Sequence, residues 1–332
     1  MKRVIFLIPL FISFCTNFAV NHEVVFGHGF GATRNHGLVY GNINMFPNCN
    51  VTVFDFPDSP ARAENRGRCN SAVTSLGQEN ENTVFEQHYN ELLGRVRDYN
   101  SKRSKSSTIG DEKKIIVGGV SRGAMNALSS NFEDVNGIFA ESPAATVQDI
   151  VDLKCKQFGF GWVPFLSKAI HRFIVPRILG QYNPQGPHPV NRVDQISSDV
   201  PVFIAYTTQD KLIPASSSVK LAQRLVSSGH NNVYLWGTNS GLHSNILSGR
   251  DGRNYQTIFH AFLRQCTGEP GNASQNHEAG DRMLAESRQT SIEDLVRLRS
   301  RLEGSERYWK RNLVVFSTCL AFLGLVASRF IR

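Results

Sequence analysis

The run Gly119-Val120-Ser121-Arg122-Gly123 places one hydroxyl between two glycines. It directly follows the strand-like stretch Lys114 to Gly118 and directly precedes a helix-like stretch that begins around Arg122. A turn this tight between strand and helix holds its serine at strained backbone angles. Side chains two positions to either side would collide, which calls for glycine there. The hydroxyl is left exposed at a helix N-terminus, where partial positive charge favours an oxyanion. A serine hydroxyl is a weak nucleophile at neutral pH and needs a base within hydrogen-bond reach. Two downstream residues suit the remaining roles. Asp210 follows the apolar run Val200 to Tyr206, and His243 sits in a loop of glycine and small polar residues after Val233 to Trp236. Alone, an aspartate after a strand is an ordinary turn residue or helix cap, and a loop histidine is ordinarily solvent-exposed. Their order and context together point to Ser121 as nucleophile, His243 as base and Asp210 as the acid that orients it. Glu141, at the end of the strand after the nucleophile helix, is the rival acid.

Acyl transfer also needs backbone N–H groups aimed at the developing negative charge. Arg122, next after the nucleophile, supplies one. The loop His28-Gly29-Phe30-Gly31 follows the first core strand and supplies the other, with Phe30 the expected donor and Gly31 close behind. His28 reads as a hydrogen-bonding residue that shapes this loop, not as a second base. The Arg122 side chain is expected to pair with an acidic group in the cap or the substrate.

The elements that must position these residues alternate between strand and helix, the mark of a parallel α/β sheet. Strands are expected at residues 23–26, 50–56, 114–118, 137–140, 200–206 and 233–236. Helices are expected at 83–100, from 122 through 128, and at 216–227 and 253–264. Residues 101–107 read as a polar, basic loop. From Ala144 to Asp199 the rhythm breaks into an irregular, partly helical insertion with Phe158, Phe160, Trp162, Phe165 and Phe173. These aromatics are expected to form the insertion's own core.

These motifs resemble the α/β-hydrolase superfamily, over roughly Glu23 to Cys266. The resemblance rests on His28-Gly29, the elbow at Ser121, Asp210 and His243. It implies a mostly parallel central sheet flanked by helices, with the insertion at 144–199 as a cap that shapes the substrate pocket. The antiparallel strands that often precede the oxyanion loop are missing, unless the N-terminal apolar segment supplies one. The implied activity is that of a serine hydrolase cleaving an ester, thioester or amide through an acyl-enzyme, with no cofactor. A membrane-associated esterase or lipase-like enzyme acting on a small-molecule or lipid acyl substrate is the leading reading. A serine peptidase and a catalytically inactive membrane-tethered binding protein are the alternatives.

The rest of the chain bears on location. It has 332 residues, 41% of them apolar, which is ample for a buried core. Residues 1–20 begin Met-Lys-Arg and continue with the apolar run Val4 to Phe14, the pattern of a signal peptide or anchor. Residues 21–266 are the expected catalytic domain and 267–290 a polar linker. Residues 291–312 are a basic helix, opened by the capping pair Ser291 and Asp294. Residues 313–330 read as a short transmembrane anchor, uncharged from Leu313 to Ser328 and bracketed by Lys310-Arg311 and Arg329. The formal net charge is +8, and from Arg297 onward eight Lys/Arg face two Glu. Beside an apolar segment that excess favours an anionic membrane surface over nucleic acid, for which no motif is present. The expected location is therefore at a membrane, exported where the N-terminal segment acts as a signal. Six cysteines include no C-x-x-C pair, so no metal site is expected. Cys49, Cys69, Cys155 and Cys266 read either as reduced thiols or as two disulfides, with Cys49–Cys69 the favoured bridge.

Overall fold

The structure, a computed structural model, describes residues 21–42, 44–60, 79–103, 112–160, 163–178, 182–268 and 275–307. In chain order the elements are β1 (His22–Gly27), α1 (Asn35–Asn42), β2 (Cys49–Val53), α2 (Glu79–Arg103), β3 (Ile115–Val120), α3 (Arg122–Ala127) and β4 (Gly137–Glu141). The insertion follows, with α4 (Val147–Gln157), α5 (Pro164–Ala169), a π-helical turn (Ile170–Ile174), α6 (Val175–Ile178) and α7 (Pro189–Arg192). The chain then returns through β5 (Val202–Thr207), α8 (Ala215–Ser227), β6 (Val233–Thr238), α9 (Gly252–Thr267), α10 (Gln275–Ser287), β7 (Arg288–Gln289) and α11 (Ile292–Arg307).

The strands form one sheet in the order β2-β1-β3-β4-β5-β6-β7, parallel except for β7. The order reverses at β1, so the loops after β1 and β3 leave the same end of the sheet and part to opposite sides. A crevice opens outside the carboxyl ends of the strands at such a reversal. Every residue singled out for chemistry lies at that end: Phe30 after β1, Ser121 after β3, Asp210 after β5 and His243 after β6.

β1, β3, β4 and β5 are buried along their whole lengths, which explains why their sequences are continuous apolar runs rather than alternating ones. One face carries Val25, Val117 and Ile204 under Phe85, Tyr89, Leu92 and Leu221. The other carries Phe26, Ile116 and Phe203 against Tyr40, Tyr255, Phe259 and Phe262. The sheet is thereby clamped between helices on both sides.

Several expectations need adjusting. The 83–100 helix runs from Glu79 to Arg103 and takes in the start of the expected basic loop. The stretch expected as a linker holds α10 and β7, and β7 pairs antiparallel with β6. Within the stretch expected as a basic helix at 291–312, Ile292–Arg307 form α11, packed on α8 with Leu295 fully buried, so this helix belongs to the domain; residues 308–312 lie outside the described ones. Cys49, Cys155 and Cys266 all stand outside any disulfide, which goes against the reading as two disulfides, the favoured Cys49–Cys69 bridge included; Cys69 lies outside the described residues. The N-terminal segment at 1–20 and the C-terminal anchor at 313–330 also lie outside them. No described helix is long and apolar enough to cross a membrane.

Candidate active site

The elbow is built from close backbone approach. A Cβ on Gly123 or Gly119 would run into the Gly27 carbonyl of β1, and one on Gly27 would lie 2.8 Å from Gly123 Cα. Three glycines thus bring β1 against the turn that follows β3. Ser121 holds φ 53°, ψ −115°, in the left-handed half of backbone space. That strain is held by the Ser121 N–H donating to the Glu141 carbonyl (2.8 Å) and the Gly123 N–H donating to the His28 carbonyl (3.1 Å).

Ser121 Oγ lies 2.9 Å from His243 Nε2, and His243 Nδ1 lies 2.7 Å from Asp210 Oδ2. The second Asp210 oxygen accepts from the Leu212 and Ile213 N–H groups at 2.8 and 2.9 Å. The Asp210 side chain is 3% exposed and that of His243 21%, so the acid is sealed beneath an imidazole that solvent or substrate can reach. The three residues come from loops 122 and 33 positions apart and meet in one chain of hydrogen bonds.

The loop His28–Gly31 lies against Ser121. A Cβ on Gly29 would sit 3.4 Å from Ser121 Cβ and 3.9 Å from Oγ. Phe30 is next in this loop, and its ring lies 5.4 Å from the Arg122 guanidinium carbon. His28 is fully buried. Its Nδ1 is 2.8 Å from the Gly29 carbonyl, and its Nε2 accepts from the Phe56 N–H at 3.4 Å. Burial, reinforced by the Arg122 charge, drives its pKa down to about 4. His28 therefore ties the oxyanion loop to residue 56 rather than facing Ser121.

Arg122 departs from expectation. Its side chain is buried, and its partner among the described residues is an acid of neither cap nor substrate: Nη1 donates to Asp58 Oδ1 at 2.5 Å, and the guanidinium lies over the Phe56 ring at 4.1 Å. Asp58 follows β2, a connection with no motif to mark it in the sequence.

Glu141 does not touch His243. It is fully buried, its Oε2 accepts from the Tyr40 hydroxyl at 2.8 Å, and its Oε1 accepts from the Ile246 N–H at 3.3 Å. Burial raises its pKa, opposed by hydrogen bonds from Tyr40, Ile246 and Tyr255. Ile246 is three residues beyond His243, so Glu141 anchors the loop that carries the base. The anchoring residue Tyr40 was not found from sequence, since nothing in the α1 composition distinguishes it from a loop.

The insertion closes over α3. Tyr182, Val147 and Ala144 pack with Met125 and Ile213. Lys154 Nζ and Gln157 Nε2 both donate to the Lys211 carbonyl, at 2.7 and 2.9 Å, tying α4 to the loop of Asp210. The cap aromatics do not form its core. Phe158, Phe160, Phe165 and Phe173 are exposed, as are Phe30, Leu212 and Leu242 on the loops of the site. Trp162 lies outside the described residues. Among the described residues no group of three or more His, Cys, Asp or Glu is arranged to hold a metal ion.

The strand order with its reversal, the strained serine between β3 and α3, and the cap between β4 and β5 define the α/β-hydrolase fold. No family model and no curated protein matches the chain. Solved structures do match it. An esterase of Pyrococcus furiosus is 17% identical, over 74% of this chain and 82% of that one, with a TM-score of 0.47. An acylaminoacyl peptidase of Pyrococcus horikoshii is 14% identical, over 79% and 40%, with a TM-score of 0.48. A puromycin-hydrolyzing peptidase of Mycobacterium tuberculosis is 15% identical, over 76% and 36%, with a TM-score of 0.49.

Proposed function

We propose that the protein is a serine hydrolase that cleaves carboxylic esters through an acyl-enzyme on Ser121. The observation that carries this reading is the continuous hydrogen-bonded line from Ser121 Oγ through His243 to Asp210, mounted on a strained elbow. As Oγ attacks a carbonyl, His243 Nε2 takes its proton. Asp210, held by two backbone N–H groups, fixes the ring so that Nδ1 keeps its own proton and stabilises the imidazolium. The N–H groups of Arg122 and Phe30 hold the oxyanion. His243 then protonates the leaving alkoxide, and water repeats the cycle on the acyl group.

Exposed apolar side chains on the loops of the site and on the cap favour an acyl group of substantial apolar surface over a short polar one. Membrane attachment through the C-terminal segment at 313–330 belongs to the same reading and rests on its apolar sequence.

The test is labelling with a fluorophosphonate probe, followed by turnover of p-nitrophenyl esters of increasing chain length. Wild type is expected to label and Ser121→Ala not to label, with kcat/KM rising as the acyl chain lengthens. A folded wild type that does not label would overturn the hydrolase reading. Labelling with turnover of amides in preference to esters would move the protein to the peptidases.

A further inference from the structure

One long stretch of the cap carries cations without acids. From Leu153 to Val193 the chain carries Lys154, Lys156, Lys168, Arg172, Arg177 and Arg192, with no aspartate or glutamate. The two cap acids that precede this stretch are engaged locally. Asp149 accepts from Ser217 and Lys220 and completes the capping box of α4, while Asp152 accepts from Gln148. Asp194, just after the stretch, pairs with Arg224, and among the described residues no acid lies within ion-pair distance of Lys168, Arg172 or Arg177.

Apolar exposure coincides with that charge. Across α5, the π-helical turn and α6, the inner side is held by Val175 against the Met125–Tyr182–Ile213 cluster. The outer side shows Phe165, 73% exposed, and Phe173, 55% exposed, together with Ile174. Lys168, Arg172 and Arg177 are exposed among them. The Arg172 guanidinium lies 5.9 Å from the centre of the Phe173 ring, and Arg177 donates to the Phe173 carbonyl. Phe158 and Phe160 at the end of α4, and Leu212 on the loop that α4 grips, extend the apolar area towards the site. Charge alone would suit many acidic partners, and bare phenylalanines alone would suit many apolar ones. Aromatics and cations alternating on one short helical segment, with no acid among them, match the headgroup–acyl boundary of an anionic bilayer.

We propose that the outer face of α5 to α6 is a docking surface for anionic lipid, which seats the mouth of the site on the bilayer. This surface is separate from the C-terminal segment and does not depend on the hydrolase reading.

The test is amide hydrogen exchange on the full chain, carrying Ser121→Ala so that no lipid is consumed. Exchange is followed alone, with phosphatidylcholine vesicles, and with vesicles containing phosphatidylserine. Exchange over 164–178 is expected to slow about fivefold or more on the anionic vesicles only, with the buried strands β4 and β5 unchanged as an internal reference. Lys168→Glu with Arg172→Glu and Arg177→Glu is expected to remove that slowing. Phe165→Ala with Phe173→Ala is expected to reduce it while exchange in the sheet stays as in the parent. These side chains are exposed, so the fold tolerates both changes. The proposal is overturned by no slowing over 164–178, or by equal slowing on neutral vesicles or in the charge-reversed chain. Slowing that rises with protein concentration in the absence of vesicles would assign the face to a second copy of the chain and likewise overturn it. Loss of fluorophosphonate labelling would bear on the hydrolase reading and leave this result untouched.

Discussion

Arg122 brings a full charge into the elbow, where almost no water reaches it, and Asp58 meets it there. Buried pairs of this kind contribute little over an apolar substitute, but removing one partner strands the other charge. Asp58→Ala is therefore expected to cost about 3–5 kcal/mol of unfolding free energy. Adding Arg122→Met should return much of that loss, as read by urea denaturation. His28 carries the second residue-scale expectation. Its pKa is near 4 in the fold against the ordinary 6.5, because burial and the Arg122 charge disfavour the imidazolium. The unfolded chain binds this proton first, so the stability from neutral His28 is complete above 6.5 and is lost as pH falls towards 4. The loss is about 3 kcal/mol. Stability curves of wild type and His28→Gln between pH 7 and 4 should differ by that slope. At this scale the sequence pointed to Ser121, Asp210 and His243, which the structure brings together, because strand–turn–helix context limits what such residues can be. It left Asp58 illegible, because an ion pair across 64 positions leaves no local pattern.

The loop that carries His243 is held from beneath by elements on two sides. Glu141 at the end of β4 holds the Ile246 N–H, and Tyr40 on α1 holds Glu141. α1 also begins just after the oxyanion loop. A change in α1 thus reaches both the base and the oxyanion donors. Glu141→Ala is expected to lower kcat for a short ester about 10- to 100-fold with a much smaller change in KM, through a displaced imidazole. Glu141→Gln, which keeps an acceptor for Ile246, should recover most of the rate. Equal losses in the two variants, or a loss confined to KM, would remove this positioning role. α1 escaped sequence reading because Asn35-His36-Gly37 carries the composition of a loop. Tertiary contact fixes it: Gly37 admits the side chains of Phe26 and Val53, and Tyr40 reaches the buried carboxylate. The main strands were legible because both faces of each are covered, so their apolar runs are unbroken.

At the scale of the whole molecule, the domain does not stop at Cys266. α10 lies on α9 through small residues rather than a broad apolar stripe: a Cβ on Gly280 would come within 2.8 Å of the Thr257 carbonyl. That contact leaves the segment polar overall, which is why 267–290 reads as a linker from composition. β7 then closes the β6 edge. α11 returns along α8 with Leu295 fully buried and Leu298 and Leu302 half-buried beside it, three positions on one helical face. Arg297 and Arg301 are exposed, while Arg299 flanks the stripe and pairs with Glu303 at 2.8 Å. The basic helix is thus part of the fold, and its charge alone does not reveal this. Leu295→Ala should leave a cavity against α8 and cost about 2–5 kcal/mol. A chain ended after Thr267 should lose more, since it also gives up the Leu284 contact with the α9 side of the core and uncovers the β6 edge. Thermal unfolding read alongside fluorophosphonate labelling separates the two aspects. Leu295→Ala is expected to unfold at a lower temperature yet label Ser121 at the wild-type rate while folded, because α8 and α11 lie away from the Ser121–His243–Asp210 line. A drop in labelling rate at a temperature where the variant is fully folded would show that α11 bears on the site as well as on stability.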